Sequence, residues 1–456
     1  MSRKTNHDHA KKKQRPMVED RVIAEHLTGL LTPTITSQSK FFRELGLRER
    51  ILTLPLMVAA VLTLLWRDVP GVTELARLLE TEGFLWCQRT KVSQQALSQR
   101  FLTFPAILLE RIFKEILPSL KTRWLSRHHR PLPASLQFGL SRFKKIWIAD
   151  GSTLEALFRK LKSLENVKQG LLAGKMGVVI DLVTRLPIEI WFEENPNASD
   201  IRFEDKLLDL VSTQTLLLLD RGFYHFQFWQ QLIDQGIDFI TRIKVNAAIE
   251  YHQVFTNSYT LRDRLVKLGS GTKKTPIVTL RLIEVRVGKV WHSYLTSVLD
   301  PTILPPYVVI DLYEKRWRIE EAFNTVKRLL GLSYLWTGSL NGIKLQIWAT
   351  WLFYAVLVDL GDAVADELSL PFDRISLEMI YRGLYYFHGA SSRGEASDPV
   401  KYFANSDQQK CLGIVKRPRK PDKKLIVAPF PEKQQTSKEF FFQSPPHPSL
   451  TTCLPA

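Results

Sequence analysis

Residues 313–327, YEKRWRIEEAFNTVK, run for fifteen positions without proline or glycine and are expected to form a helix. At about 100° per residue, with Arg316 set at zero, Lys327 falls at ~20°, Glu320 at ~40° and Tyr313 at ~60°. A carboxylate, two cations and a phenol then share one narrow face. Ile319, Ala322, Val326, Leu329 and Leu330 fill the neighbouring arc, as a helix half buried against a core requires. Taken alone, the charged edge reads as a solvated face with an Arg316–Glu320 pair worth roughly a few tenths of a kcal/mol. Carboxylates upstream give it a second reading: Asp150 closes the expected strand in KIWIADGS, and Asp220 closes that in TLLLLDRGFY.

The rest of the chain sorts into segments around these residues. Residues 1–16 are polar and Lys-rich, with too little apolar surface to offset the entropy of ordering, so a flexible basic tail is expected. Residues 17–140 are expected to be a helical domain, with helices near 39–66, 73–82, 94–101 and 105–117 separated by Pro70, Gly71 and Gly83. Ser93 suits an N-cap for QQALSQRF. With the preceding helix TELARLLE it makes a helix-turn-helix-like unit in which Gln94, Gln95, Gln99 and Arg100 could read DNA, or form an ordinary exposed bundle face. RPLPASLQFG at 130–139 reads as a linker.

An α/β catalytic domain is expected over 141–387. Its strands are 145–149, 176–183, 187–192, 215–219 and 238–244, with helices after Ser152 or Thr153, at 201–211 and at 226–235. A β-rich insertion at about 245–310 interrupts it, containing TPIVTLRLIEVRV and VWHSYLTSVLD. Residues 388–456, including KRPRKPDKK, are expected to be a disordered basic tail.

Composition narrows the partners. There are 63 Lys plus Arg against 46 Asp plus Glu, a net charge of +17 and a pI near 9.7, which favours a polyanion, with nucleic acid the leading candidate. Cys87, Cys411 and Cys453 are far apart, which argues against a zinc site or a disulfide framework and fits a reducing cytoplasm. The apolar runs from Leu54 and Ile347 are short of the ~18–20 residues a bilayer span needs, so buried helices, no membrane and no secretion signal are expected.

The spacing Tyr313, two residues, Arg316, three residues, Glu320, six residues, Lys327 resembles the signature of the bacterial DDE transposases of insertion sequence family four. DGST at Asp150 and DRGF at Asp220 are similar to that family's two acidic motifs, and the likeness runs from about 146 to 332. The resemblance and the element order both imply an RNase H-like core. In it the first and fourth strands are neighbours, placing Asp150 beside Asp220, and the last helix brings Glu320 across them.

What the resemblance implies for chemistry is metal-dependent strand cleavage and transfer. Asp150 would bridge two Mg²⁺ ions, with Mn²⁺ as an expected substitute, and Asp220 and Glu320 would each complete one side. Arg316, Lys327 and Tyr313 would contact phosphate. Trp291, in the insertion, would stack on an unpaired base near the transposon end, or fill the insertion's own core. Double-stranded DNA and a second copy of the chain are the implied partners, in a bacterial cytoplasm at the nucleoid. Competing classes are an RNase H-like nuclease, a non-catalytic DNA-binding descendant and a glycosidase; the basic excess and the strand-then-helix placement of the acids weigh against the last.

Overall fold

A computed structural model describes residues 16–47, 49–154, 174–195, 197–332 and 340–417. The helix expected after Ser152, residues 1–15 and the basic run beyond 417 lie outside the described residues. The chain divides into two compact units. Leu132–Thr153 and Gly174–Glu321 form one, and Met1–Pro131 and Ala322–Lys416 contribute to the other. The N-terminal helices therefore group with residues beyond Ala322, where the sequence suggested a domain of their own.

The first unit is built on a nine-stranded sheet: β1 Lys145–Thr153, β2 Lys175–Asp181, β3 Pro187–Glu193, β4 Thr215–Leu219, β5 Asp238–Arg242, β6 Glu250–Asn257, β7 Leu261–Leu268, β8 Val278–Val287 and β9 Val290–Thr296. Their order is β3-β2-β1-β4-β5-β9-β8-β7-β6. β1 and β4 run parallel and are neighbours, with Ala149 opposite Leu219, and β4 and β5 are also parallel. β4 is buried at every position and apolar at all but its first, Thr215, the pattern of a strand covered on both faces.

The segment read as a β-rich insertion does not fold apart from the sheet: β9 pairs antiparallel with β5 and carries β8, β7 and β6 into it. One core runs through both halves: Trp147, Leu217, Trp229 and Phe239 cluster with Val266, Leu280, Leu282 and Leu295. Nor does β1 stop before Asp150. Its ladder with β2 continues through Asp150↔Val178 to Thr153↔Lys175, so the carboxylate stands inside a strand.

The proposed linker at 130–139 is instead partly helix, Ala134–Arg142. Pro133 lies just before its first turn, where a missing N–H costs nothing. Gly139 permits close packing: a Cβ there would lie 2.7 Å from Cδ1 of Ile146 and 3.4 Å from Leu312. This helix and the helix Pro306–Glu314 cover the sheet face on which Ile146, Ile148 and Asp150 alternate.

The second unit is helical. Helices Arg21–Ser37, Ser39–Glu44, Leu54–Trp66, Val72–Thr81, Gln94–Thr103 and Ala106–Leu125 pack with Leu340–Glu367 and Leu377–Ser392. The single helix expected over 39–66 is two, separated around Gly46, whose φ is +71°. Leu340–Glu367 has 28 residues and is apolar and long enough to cross a membrane, longer than the run counted in sequence, yet 89% of its apolar window is buried inside the protein. It carries buried Gln346, Thr350, Asp359 and Asp362, and Arg127 and Arg130 ion-pair with those aspartates. These are marks of a core helix. The tail expected from 388 is ordered as far as Lys416: helices Pro399–Ala404 and Ser406–Leu412 are capped by Asp398 and Asn405, and Phe403 and Ile414 are buried. Two apolar anchors among polar residues suffice once caps satisfy the helix ends.

Candidate active site

Because β1 and β4 are parallel neighbours in register at Ala149 and Leu219, the next residue of each, Asp150 and Asp220, falls side by side. Asp150 is buried. Its Oδ1 accepts from the Gly151 N–H at 2.8 Å, and its Oδ2 accepts from Arg316 Nη1 at 2.7 Å. Asp220 is more open; it caps the short 3₁₀ turn Arg221–Phe223 by accepting from Gly222 N–H at 3.3 Å. Its Oδ1 lies 3.4 Å from Arg316 Nη2, and Oε1 of Glu320 lies 3.9 Å from Arg316 Nη1. One buried guanidinium thus gathers three carboxylates that come from two strands and a helix.

The electrostatics follow from that crowding. Burial pushes the Asp150 carboxyl up to about 8; Arg316 opposes the rise, and the negative charges of Asp220 and Glu320 add to it. Burial alone would pull Arg316 down, but Asp150 first, then Tyr313, Asp220 and Glu320, outweigh this and hold it above its ordinary value. Such a cluster of like charges favours cations, and carboxylate oxygens are the hard donors that Mg²⁺ and Mn²⁺ prefer. Among the described residues no three His, Cys, Asp or Glu side chains are grouped closely enough to hold one ion.

The continuous helix read across 313–327 is broken into three parts. Pro306–Glu314 ends before Lys315, Trp317–Asn324 follows, and Thr325–Leu329 is a π-helical turn. Around the break Arg316 N–H bonds to Tyr313 O and Ile319 N–H to Arg316 O, tighter i,i+3 bonds than an α-helix makes. Tyr313, Arg316 and Glu320 still lie on the side of the acids, but a wheel angle counted through a break and a π-turn does not carry to Lys327. Lys327 lies in the other unit, its Nζ 5.8 Å from the Phe323 ring centroid.

Tyr313, expected to reach a phosphate, is buried, and its hydroxyl donates to the Leu219 carbonyl at 3.2 Å while its ring meets Tyr294 edge-on at 5.4 Å. It holds the end of β4, one residue before Asp220. Trp291 is half-buried on β9 with the Arg262 guanidinium 4.1 Å from its ring centroid. In the helical unit the Ser93 cap is present, its Oγ accepting from Ala96 N–H; Gln94, Gln95 and Gln99 are exposed and Arg100 half-buried.

Sequence reasoning passed over Trp317, which is 47% exposed, with the Arg316 guanidinium 5.9 Å from its ring centroid. It also passed over Glu204. Glu204 is buried in the helix Glu204–Leu210 with its Oε2 2.7 Å from His225 Nδ1, and burial pushes its carboxyl up to about 7 against the lowering effect of His225. A carboxyl whose native pKa is raised binds more protons folded than unfolded, so stability falls as pH rises from its ordinary range to about 7. Glu204→Gln is therefore expected to stabilise the protein more at pH 8 than at pH 5, measured by urea unfolding. A gain equal at both pH values would refute the assignment.

Residues 142–356 match the family described as the transposase DDE domain. Among curated proteins the chain is similar to putative transposase y4zB of Sinorhizobium fredii (strain NBRC 101917 / NGR234), 26% identical over 155 residues, 32% of this chain and 43% of the relative. It is also similar to the probable transposase for insertion sequence element IS5377 of Geobacillus stearothermophilus, 25% identical over 178 residues, 37% of this chain and 45% of the relative. The aligned stretches span less than half the length of either relative.

Proposed function

We propose that this protein is a bacterial DNA transposase that binds the terminal inverted repeats of an insertion sequence and cuts and joins DNA through an RNase H-like site made by Asp150, Asp220 and Glu320. The observation that carries this reading is the convergence of those three carboxylates on Arg316, at 2.7, 3.4 and 3.9 Å. The β3-β2-β1-β4-β5 order of the first five strands supports the fold assignment. Asp150 would be shared by two divalent ions, with Asp220 and Glu320 each holding one; such ions, bound, activate a water or a 3′-hydroxyl and stabilise the leaving oxygen of an in-line displacement at phosphorus.

The chain's own groups supply the rest. Arg316 neutralises the acids and, once other cations carry that charge, has a fork suited to a phosphodiester. Tyr313 holds Leu219, and through it Asp220, in place. Lys327, the exposed glutamines from Gln94 to Gln99, and Arg100 are the proposed DNA contacts, with Trp291 and Trp317 available for stacking. Paired ends imply two copies of the chain.

The test is cleavage of a labelled duplex carrying the element's terminal repeat, in Mg²⁺ or EDTA, by wild type and Glu320→Ala. Nicking at the repeat boundary should require the metal and fall by on the order of 10³-fold or more in the variant, since several kcal/mol of transition-state stabilisation are removed, with duplex binding retained. Binding without cleavage by wild type in any divalent metal would instead support a non-catalytic DNA-binding descendant. Metal-dependent cleavage without preference for the repeat would support a nuclease.

A further inference from the structure

Asp200 belongs to none of the motifs above, yet it stands against both acidic ones. It begins the 3₁₀ turn Asp200–Phe203, which Ser199 caps, and its Oδ1 lies 2.7 Å from Nζ of Lys175, the first residue of β2. Lys175 is held in turn by donating to the Ala198 carbonyl at 2.8 Å. Two glycines receive the Asp200 carboxylate. A Cβ at Gly151 would overlap its Oδ1, and a Cβ at Gly222 would overlap its Oδ2. Neither glycine has a positive φ, so the backbone does not demand glycine there; the space does. The same two glycines donate their N–H groups to Asp150 and to Asp220, at 2.8 and 3.3 Å.

We propose that Asp200 is a positioning residue: wedged between Gly151 and Gly222 and anchored by Lys175, its carboxylate sets the spacing of Asp150 and Asp220. This rests on reading those two acids as cation ligands. Asp200 acts through the glycine peptides and not as a ligand. The requirement is therefore for its shape, and the glycines at DG and DRG are explained by the room it occupies. Groups that orient metal ligands change metal affinity by about 10- to 100-fold when lost.

The experiment is calorimetric titration of the full chain with Mn²⁺ alone, each variant first being shown folded by its near-UV circular dichroism. Asp200→Ala is expected to weaken Mn²⁺ binding at least about 10-fold. Asp200→Asn, which keeps the shape and can still accept from Lys175, should stay within about threefold of wild type. Gly222→Ala should weaken binding as Asp200→Ala does, and it supplies the same test if Asp200→Ala does not fold. The double variant should be no weaker than either single one, because both break one contact.

Wild-type affinity in Asp200→Ala, or in Gly222→Ala where that variant stands in, would overturn the inference while leaving the proposed function intact. A loss in Asp200→Asn as large as in Asp200→Ala would also overturn it, in favour of a direct ligand role. A wild type that binds no Mn²⁺ would overturn the proposed function and this inference with it.

Discussion

Arg316→Ala is expected to destabilise the metal-free protein by about 3 to 5 kcal/mol, because it leaves Asp150 buried and facing two other carboxylates with no counter-charge. Asp150 is already pushed up to about 8 and can take up a proton when the guanidinium is gone, which places the loss towards the lower end of that range. Urea unfolding in EDTA measures it, and adding Asp150→Asn to the variant should restore most of the stability. Added Mn²⁺ should also stabilise Arg316→Ala more than wild type, since the ion would replace a missing positive charge. A single variant within about 0.5 kcal/mol of wild type would show that the guanidinium is not what holds the acids together.

Asp263→Ala should cost a similar amount, about 3 to 5 kcal/mol, for a different reason. Asp263 on β7 and Arg281 on β8 are both fully buried and joined by two hydrogen bonds, of 2.7 and 2.6 Å. Arg281 also donates to the Leu304 carbonyl at 2.7 Å, just ahead of the helix that carries Tyr313. Removing the carboxylate strands a cation in the core. Replacing both partners together, Asp263→Leu with Arg281→Met, removes the stranded charge and is expected to be far milder. Thermal and urea unfolding of the single and double variants distinguish the cases; a double variant as damaged as the single one would sink the argument.

Several local elements were readable in one dimension. The run TLLLL before Asp220 is four leucines behind a β-branched threonine, and the strand Thr215–Leu219 follows those bounds. The Ser93 cap and the helix after it follow from a side chain that can reach a backbone N–H three residues on. The Tyr313, Arg316 and Glu320 spacing likewise selects residues that the structure brings to one side of a helical segment. All of these are local effects, decided by groups within about one turn or one strand.

Other elements depended on partners far away in sequence. β6 and β7, EYHQVFTN and LRDRLVKL, are too polar to announce themselves as strands, and the ladder with β8 makes them so. β1 runs through Asp150 because β2 keeps pairing with it. The segment at 130–139 looked like a linker because its Pro and Gly are breakers in isolation; packing on Ile146 and Leu312 makes the same glycine an asset.

By itself, then, the sequence determined the apolar strand ahead of Asp220 and the spacing of the charged helical edge, because alternation, capping and helical period act over a few residues. Tertiary structure alone decided that Asp150 and Asp220 are neighbours, that Arg316 lies among the acids, and that Asp200 is wedged behind two glycines. Each of those depends on strand order and close packing, which join residues tens to more than a hundred positions apart and leave no local periodicity to read.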